Sequence, residues 1–267
     1  MIAGAVVLSF LWLLPVLLVV ADSLKNPEAL FTPSGLYSVP THPDFGNYAD
    51  AWSTGELGMY MRNSALITVI KVPIAIVIES FLAYYLVIRG KSRIANWIFG
   101  FVIIGMIFPP QAALVPLHNL LYTLHVFNTW TGLIIIYLGF GLPFGTLLLR
   151  GFFRTVPGEL AEAARIDGAS ALRILLRVYL PLSWPAIAAL AIFDTVWTWN
   201  EFLFAQLFIT SDNLRPVQAG LMQLNGKYSE DIMLLSAGVV LSIIPVVIVY
   251  VLFQRKFVSG LAGALKA

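Results

Sequence analysis

The chain has 267 residues, 59% of them hydrophobic and 11% charged, with a formal net charge of +2. Soluble domains carry about 25% charged residues, so this composition lacks the side chains to cover a water-facing surface; it points to a membrane and excludes disorder. With no cysteine the chain has no disulfide, thiolate metal site or cysteine nucleophile, and +2 is too little charge to suggest nucleic acid.

Met1 to Ala21 is uncharged and predicts a first membrane span over 2–22. A secretory signal peptide is the competing reading, but the segment lacks a basic start, its apolar run is too long, and Val20-Ala21-Asp22 is a poor cleavage site. Ser23 to Arg62 follows as a long loop with Pro27, Pro33, Pro40 and Pro43 among Phe31, Tyr37, Phe45, Tyr48 and Trp52. Its prolines resist helix, and its aromatics suit a membrane-interface belt, the favoured reading, or a docked partner.

A second span is predicted over 63–88, with Lys71 and Glu79 inside it. The uncharged stretch from Arg93 to Arg150 is more than twice the roughly 20 residues of one crossing, so it crosses, turns near His125 to Trp130 and returns. The third span is then 94–121, kinked by Pro109, Pro110 and Pro116, and the fourth 131–149, where Gly139 and Gly141 allow close helix contact. His118 and His125 lack a third ligand, so no metal site is expected. A polar loop at 150–182 leads to a fifth span over 183–209, with Asp194 and Glu201, a sixth over 233–254 and a tail at 255–267. The expectation is an all-α membrane protein of six transmembrane helices in a single domain, 1–267.

Basic residues orient it. Arg89, Lys91, Arg93, Arg150, Arg154, Arg165, Arg173, Arg177, Arg255, Lys256 and Lys266 fall on one side, against Lys25, Arg62, Arg215 and Lys227 on the other. The richer side is cytoplasmic by the positive-inside rule, which places both termini inside.

Charges within spans need partners. On a continuous helix Asp194 and Glu201 fall within about 20° of one face and about 10 Å apart along the axis, so that face lines a polar cavity or a helix interface. Trp199 and Asn200 add an aromatic plate and an amide, the group types sugars favour; an interface motif remains the preferred reading. Lys71 and Glu79 lie about 80° apart around their helix and cannot pair, so each needs a partner elsewhere, such as Asp194 or Glu201 for Lys71.

The 150–182 loop is the most polar stretch of the chain. Pro157 suits a first helical turn, followed by Glu159 and Glu162 where the helix dipole favours negative charge. Gly168 stops that helix, Ser170 caps another, and Pro181 ends it before the fifth span. Ala161, Ala163 and Ala164 leave the first helix thin, so a partner can approach it. A helix fixed between two spans moves only with them and is a candidate lever. An amphipathic loop resting on the inner leaflet, with Arg165, Arg173 and Arg177 near lipid phosphates, fits the residues equally well.

Glu162-Ala163-Ala164, then Gly168, then Val178, Leu180 and Pro181 resembles the cytoplasmic signature of permease subunits of binding-protein-dependent ABC importers: Glu-Ala-Ala, three residues, Gly, nine residues, Ile, one residue, Leu-Pro. Val178 in place of Ile is the departure, and Asp167 and Ala169 match the common Asp-Gly-Ala form. Ser23-Leu24-Lys25, Asn47-Tyr48, Asn63-Ser64, Trp199-Asn200-Glu201-Phe202 and the tail Gln254-Arg255-Lys256-Phe257, Gly260-Leu261, Gly263-Ala264-Leu265-Lys266 are similar to the carbohydrate branch of that family, its maltose-permease MalG-like subunits.

The resemblance implies half of a translocation pore. The 157–181 loop would dock into a cytoplasmic ATPase subunit through Glu162, Ala163, Ala164, Asp167, Gly168 and Pro181. A second homologous permease, an ATPase dimer and an extracytoplasmic sugar-binding protein would complete an importer in a bacterial-type inner membrane. Asp194, Trp199, Asn200 and Glu201 are the candidates for the substrate pathway. No Gly-x-x-x-x-Gly-Lys phosphate loop and no catalytic triad occurs, so this chain is expected to need no cofactor and to catalyse nothing, with ATP bound and hydrolysed by the partner. The rival readings are an importer permease for a non-sugar solute and an ion-coupled transporter using Lys71, Glu79, Asp194 and Glu201 as a relay.

Overall fold

The computed structural model describes residues 2–26, 39, 40, 42–90, 92–227 and 232–264, with side chains described except at 2, 3, 5–7, 10, 225–227 and 254–264. Pro27, Phe31, Pro33, Tyr37, Lys91, Leu265 and Lys266 lie outside the described residues, as do the side chains of Lys227, Gln254, Arg255, Lys256 and Phe257. Among the described residues the chain is all-helical. An apolar chain in lipid has no water to satisfy its backbone, and helices do so internally.

The helices in order are α1 (Ile2–Asp22), α2 (Gly46–Ser53), α3 (Leu57–Ile88), α4 (Arg93–Ile107), α5 (Leu114–Thr123), α6 (Trp130–Phe153), α7 (Gly158–Ile166), α8 (Ala171–Ile174), α9 (Leu180–Leu182), α10 (Trp184–Asn200), α11 (Leu203–Phe208), α12 (Val217–Lys227) and α13 (Ile232–Ala264). Helices α2 and α12 fall in stretches with no predicted element, α3 starts before the expected residue 63, and α13 runs on past 254. Leu57–Ile88, Trp130–Phe153 and Ile232–Phe253 are long and apolar enough to cross a bilayer as continuous helices. Two bent pairs also qualify: Arg93–Ile107 with Pro110–Thr123, at 99°, and Ala171–Leu182 with Trp184–Asn200, at 80°.

The 99° bend comes at Pro109 and Pro110, which have no N–H to continue the α4 ladder; Pro110 opens a short 3₁₀ turn into α5. The turn expected near His125 is there. His125 and Asn128 both have φ of 56°, and Asn128 ties it down by donating its N–H to the Phe208 carbonyl and accepting from Thr210 N. Thr129 then caps α6 by accepting from Gly132 N. The His118 ring packs edge-on against Phe127 at 4.8 Å and lies 5.4 Å from Tyr122.

The chain divides into two compact units. The first, Met1–Ser64 with Ser211–Val247, holds α1, α2, the start of α3, α12 and the N-terminal part of α13. Its polar locks are asparagines. Asn47 on α2 donates from Nδ2 to the carbonyls of Ser23 (3.0 Å) and Lys25 (2.9 Å), and the Ser23 and Tyr48 hydroxyls are 2.6 Å apart. Asn63 donates to the carbonyls of Asn213 and Arg215, while Ser64 Oγ accepts from Val217 N. The short motifs at 23–25, 47–48 and 63–64 thus hold the loops of this unit in place. In α1, Leu11 to Leu17 are all exposed and Trp12 reaches 82%, so no face of this stretch is covered by the described residues.

The second unit, Ala65–Thr210 with Ile248–Ala267, contains the rest of α3 and the helices α4 to α11. One of its hydrophobic cores joins Ala83 and Tyr84 of α3, Leu149 and Phe153 of α6, Ala161 of α7, and Ala186, Ile187 and Leu190 of α10 around Ile174, Leu175 and Tyr179.

Candidate functional site

Helix α7 starts behind Pro157, which occupies the N-cap position rather than the first turn, with Glu159 in that turn. It ends in a Schellman motif: Gly168 N donates to the Arg165 carbonyl and Ala169 N to the Ala164 carbonyl, and Gly168 takes φ of 76°. An L side chain in that region is strained, which explains glycine there. Ser170 then caps α8, its Oγ accepting from Arg173 N. The helix continues through a π turn at Leu175–Tyr179 into α9, where Pro181 withholds a donor from the ladder. Beyond Pro181 the helix bends by 80° into α10.

This segment is anchored to three spans. Ala161 is buried, and the Tyr179 ring stands edge-on to Tyr84 of α3 (5.0 Å) and Phe153 of α6 (5.4 Å). Glu162, Ala163, Asp167 and Gly168 are exposed, Ala164 is half-buried, and Pro181 is exposed. The side of α7 with Ala161 is therefore spent on packing, while the Glu162 carboxylate and Ala163 remain open to another molecule.

Within the spans, Lys71 donates to Asp194 Oδ1 and its Nζ lies 5.3 Å from the Trp197 ring centroid. Of the two partners expected for Lys71, the structure selects Asp194. Glu79 is fully buried, and neither of its carboxyl oxygens has a hydrogen-bond partner among the described residues. Glycines on α6 make room for these groups: a Cβ on Gly141 would lie 3.1 Å from Lys71 Nζ, and one on Gly145 would overlap the Glu79 carboxyl. Gly141 thus serves the close contact expected of it. Gly139 has open space around it, and Gly145, four residues on from Gly141, is the second residue of that face.

Glu201 departs from the expected geometry. The predicted continuous helix over 183–209 stops at Asn200, Glu201 is extended (ψ 127°), and α11 starts two residues later. The Glu201 carboxylate accepts from Phe204 N (2.9 Å), Ala205 N (3.2 Å) and the Tyr137 hydroxyl (2.6 Å). A helix start leaves N–H groups without intrahelical acceptors, and in an apolar surrounding a carboxylate supplies them. Asp194 and Glu201 therefore do not share one continuous helix face. The pathway candidates separate accordingly: Asp194 and Trp199 are buried, while Asn200 and Glu201 border an open cleft with Phe193, Val196 and Trp197.

Residues 71–262 match the family described as binding-protein-dependent transport system inner membrane component. The chain is 35% identical over 255 residues to the probable ABC transporter permease protein YurM of Bacillus subtilis, covering 93% of this chain and 82% of that one. It is 34% identical to the diacetylchitobiose uptake system permease protein NgcG of Streptomyces coelicolor (95% and 84% covered). It is 35% identical to the probable starch degradation products transport system permease protein AmyC of Thermoanaerobacterium thermosulfurigenes (98% and 94%). In fold it is similar to a chain of a bacterial ABC transporter involved in the import of the acidic polysaccharide alginate, with a TM-score of 0.82 at 24% identity over 96% of this chain and 95% of that one. A chain from a bacterial alginate ABC transporter in complex with an alginate pentasaccharide-bound periplasmic protein gives 0.65 at 13% identity, over 96% and 94%.

Proposed function

The chain belongs to the binding-protein-dependent transport system inner membrane component family, and on that premise we propose that it is the permease subunit of an ATP-driven sugar importer. It forms half of the pore, pairs with a second, homologous permease, and receives its solute from an extracytoplasmic sugar-binding protein. ATP is bound and hydrolysed by a separate ATPase dimer, with no cofactor in this chain. Both termini are cytoplasmic, on the side rich in lysine and arginine.

The carrying observation is the division of labour on α7. Ala161 is sealed into a core shared with α3, α6 and α10, while Glu162 and Ala163 stay exposed. A partner that grips the exposed side moves three helices together, because packed cores shift as units rather than deform continuously. This supports Glu162, Ala163, Ala164, Asp167, Gly168 and Pro181 as the ATPase-coupling set. The sugar assignment is supported by relatives named for diacetylchitobiose and starch degradation products, and a binding-protein partner by the complex in which one fold neighbour was solved. In the pathway, Asn200 and the Trp197 ring offer an amide and an aromatic face to the solute, while Asp194, Trp199 and Glu201 hold α10 and α11 in position.

The test is uptake of labelled oligosaccharides into vesicles carrying the complete importer, with and without the ATPase subunit. ATP-dependent uptake that vanishes without that subunit is expected. Uptake that persists without it would overturn the coupling role, and ATP-driven import of non-sugar solutes alone would overturn the sugar assignment.

A further inference from the structure

Two adjoining hollows run along the C-terminal half of α3, sharing Phe81 and Leu175. The first, about 620 Å³, is apolar and is lined by Val77, Phe81, Leu176 and Trp184 among others. The second, about 680 Å³, brings Tyr84, Arg89 and Arg165 together at the end of the helix. The π turn at Leu175–Tyr179 forms part of the apolar wall, and such widened turns recur at functional sites.

The hollow has charge at one end only. Arg89 and Arg165 make no ion pair with an acidic side chain among the described residues, and both also border a neighbouring hollow that holds Arg150, Arg154 and Glu162. Four guanidinium groups against one carboxylate leave this end positive. The Tyr84 hydroxyl is buried without a hydrogen-bond partner among the described residues and lines the same hollow. It is a donor lacking an acceptor, beside two cations lacking an anion.

We propose that this groove binds one anionic phospholipid. Its phosphate takes hydrogen bonds from Arg89, Arg165 and the Tyr84 hydroxyl, and an acyl chain lies along Phe81, Leu176 and Trp184. The dimensions agree: Val77 to Arg89 is twelve residues of helix, about 18 Å, close to half of a hydrocarbon core of about 30 Å plus the start of the headgroup region. Planar guanidinium groups match phosphate oxygens in geometry as well as charge. A partner helix would fill the apolar wall but leave Tyr84 and both arginines without an acceptor. Because Arg165 belongs to α7 and Arg89 directly follows α3, the bound lipid would brace the segment proposed for coupling against its neighbouring span.

The importer complex is isolated from membranes of equal phosphatidylglycerol and phosphatidylcholine, washed in detergent, and its retained lipid measured by mass spectrometry. Phosphatidylglycerol enriched about tenfold over phosphatidylcholine is expected, falling to the bulk ratio in the Arg89→Gln/Arg165→Gln double variant and retained in Arg89→Lys/Arg165→Lys. Tyr84→Phe, which keeps the ring packing, gives partial loss and serves should the double variant not assemble. No enrichment in the unaltered complex, or enrichment unchanged by these substitutions, overturns the proposal. So does a photoreactive residue at position 176 that captures a protein subunit instead of lipid. The readout needs no transport, so its failure is distinguishable from failure of the sugar-importer reading.

Discussion

Lys71 and Asp194, 123 residues apart in sequence, form an ion pair joining α3 to α10, with the lysine completely buried. Breaking a buried pair from one side leaves the other charge uncompensated, at a cost of about 3–5 kcal/mol. Lys71→Met and Asp194→Leu should each lower the melting temperature of the solubilised chain sharply, while the double variant recovers much of the loss. Equal and additive losses in a double-mutant cycle would remove the pair from the account. Lys71→Met and Glu201→Gln, by contrast, should act additively, since Glu201 is engaged with Tyr137 and backbone amides.

The α7 terminus gives the sharpest functional prediction. Gly168→Pro cannot adopt the positive φ of the Schellman turn, and Glu162→Lys reverses the charge on the exposed side. Both should abolish uptake or release the ATPase while the chain remains in the membrane fraction. Normal uptake with normal ATPase retention in both variants would end the lever interpretation.

The glycines of α6 predict a graded series. Gly145→Ala drives a methyl group into the Glu79 carboxyl, Gly141→Ala makes a tight contact with Lys71, and Gly139→Ala meets open space. The first should cost about 1–3 kcal/mol as overpacking, the second less, and the third nothing measurable. Thermal unfolding of the three variants checks the order, and a Gly139 variant as damaged as Gly145→Ala would contradict it.

Glu201 is predicted to act through shape more than charge. Glu201→Ala leaves Phe204 N, Ala205 N and the Tyr137 hydroxyl without their acceptor, at about 1–3 kcal/mol for each group that stays buried. Glu201→Gln keeps an amide oxygen and should retain most of the stability and uptake. If the glutamine variant is as unstable as the alanine variant, the negative charge itself is what the site requires.

Much of this was legible from local chemistry. Charge gaps located the apolar segments, Pro109 and Pro110 announced the bend in the third, and Gly168 with Ser170 announced the helix end and restart in the 150–182 loop. These features depend on backbone rules that act within a few residues. What was hidden depended on neighbours distant in sequence. Nothing near Gly145 reveals that Glu79 lies against it, and no proline or glycine marks the break at Glu201; a carboxylate three residues ahead of Phe204 was the available hint. The motifs at 47–48 and 63–64 resemble the carbohydrate branch, and what could not be read from them is that their side chains close loops against backbone carbonyls and amides.

The Asn63 lock also has a consequence in time. Its carbonyl partners, Asn213 and Arg215, are made 150 or more residues later. At about 5–20 residues per second a ribosome needs about 8–30 s to cover that distance. For that interval the Asn63 amide lacks these two carbonyl partners, and the first unit closes only when α12 follows. Birth order therefore imposes a waiting period on the N-terminal helices, during which an insertase or chaperone has an unfinished surface to hold.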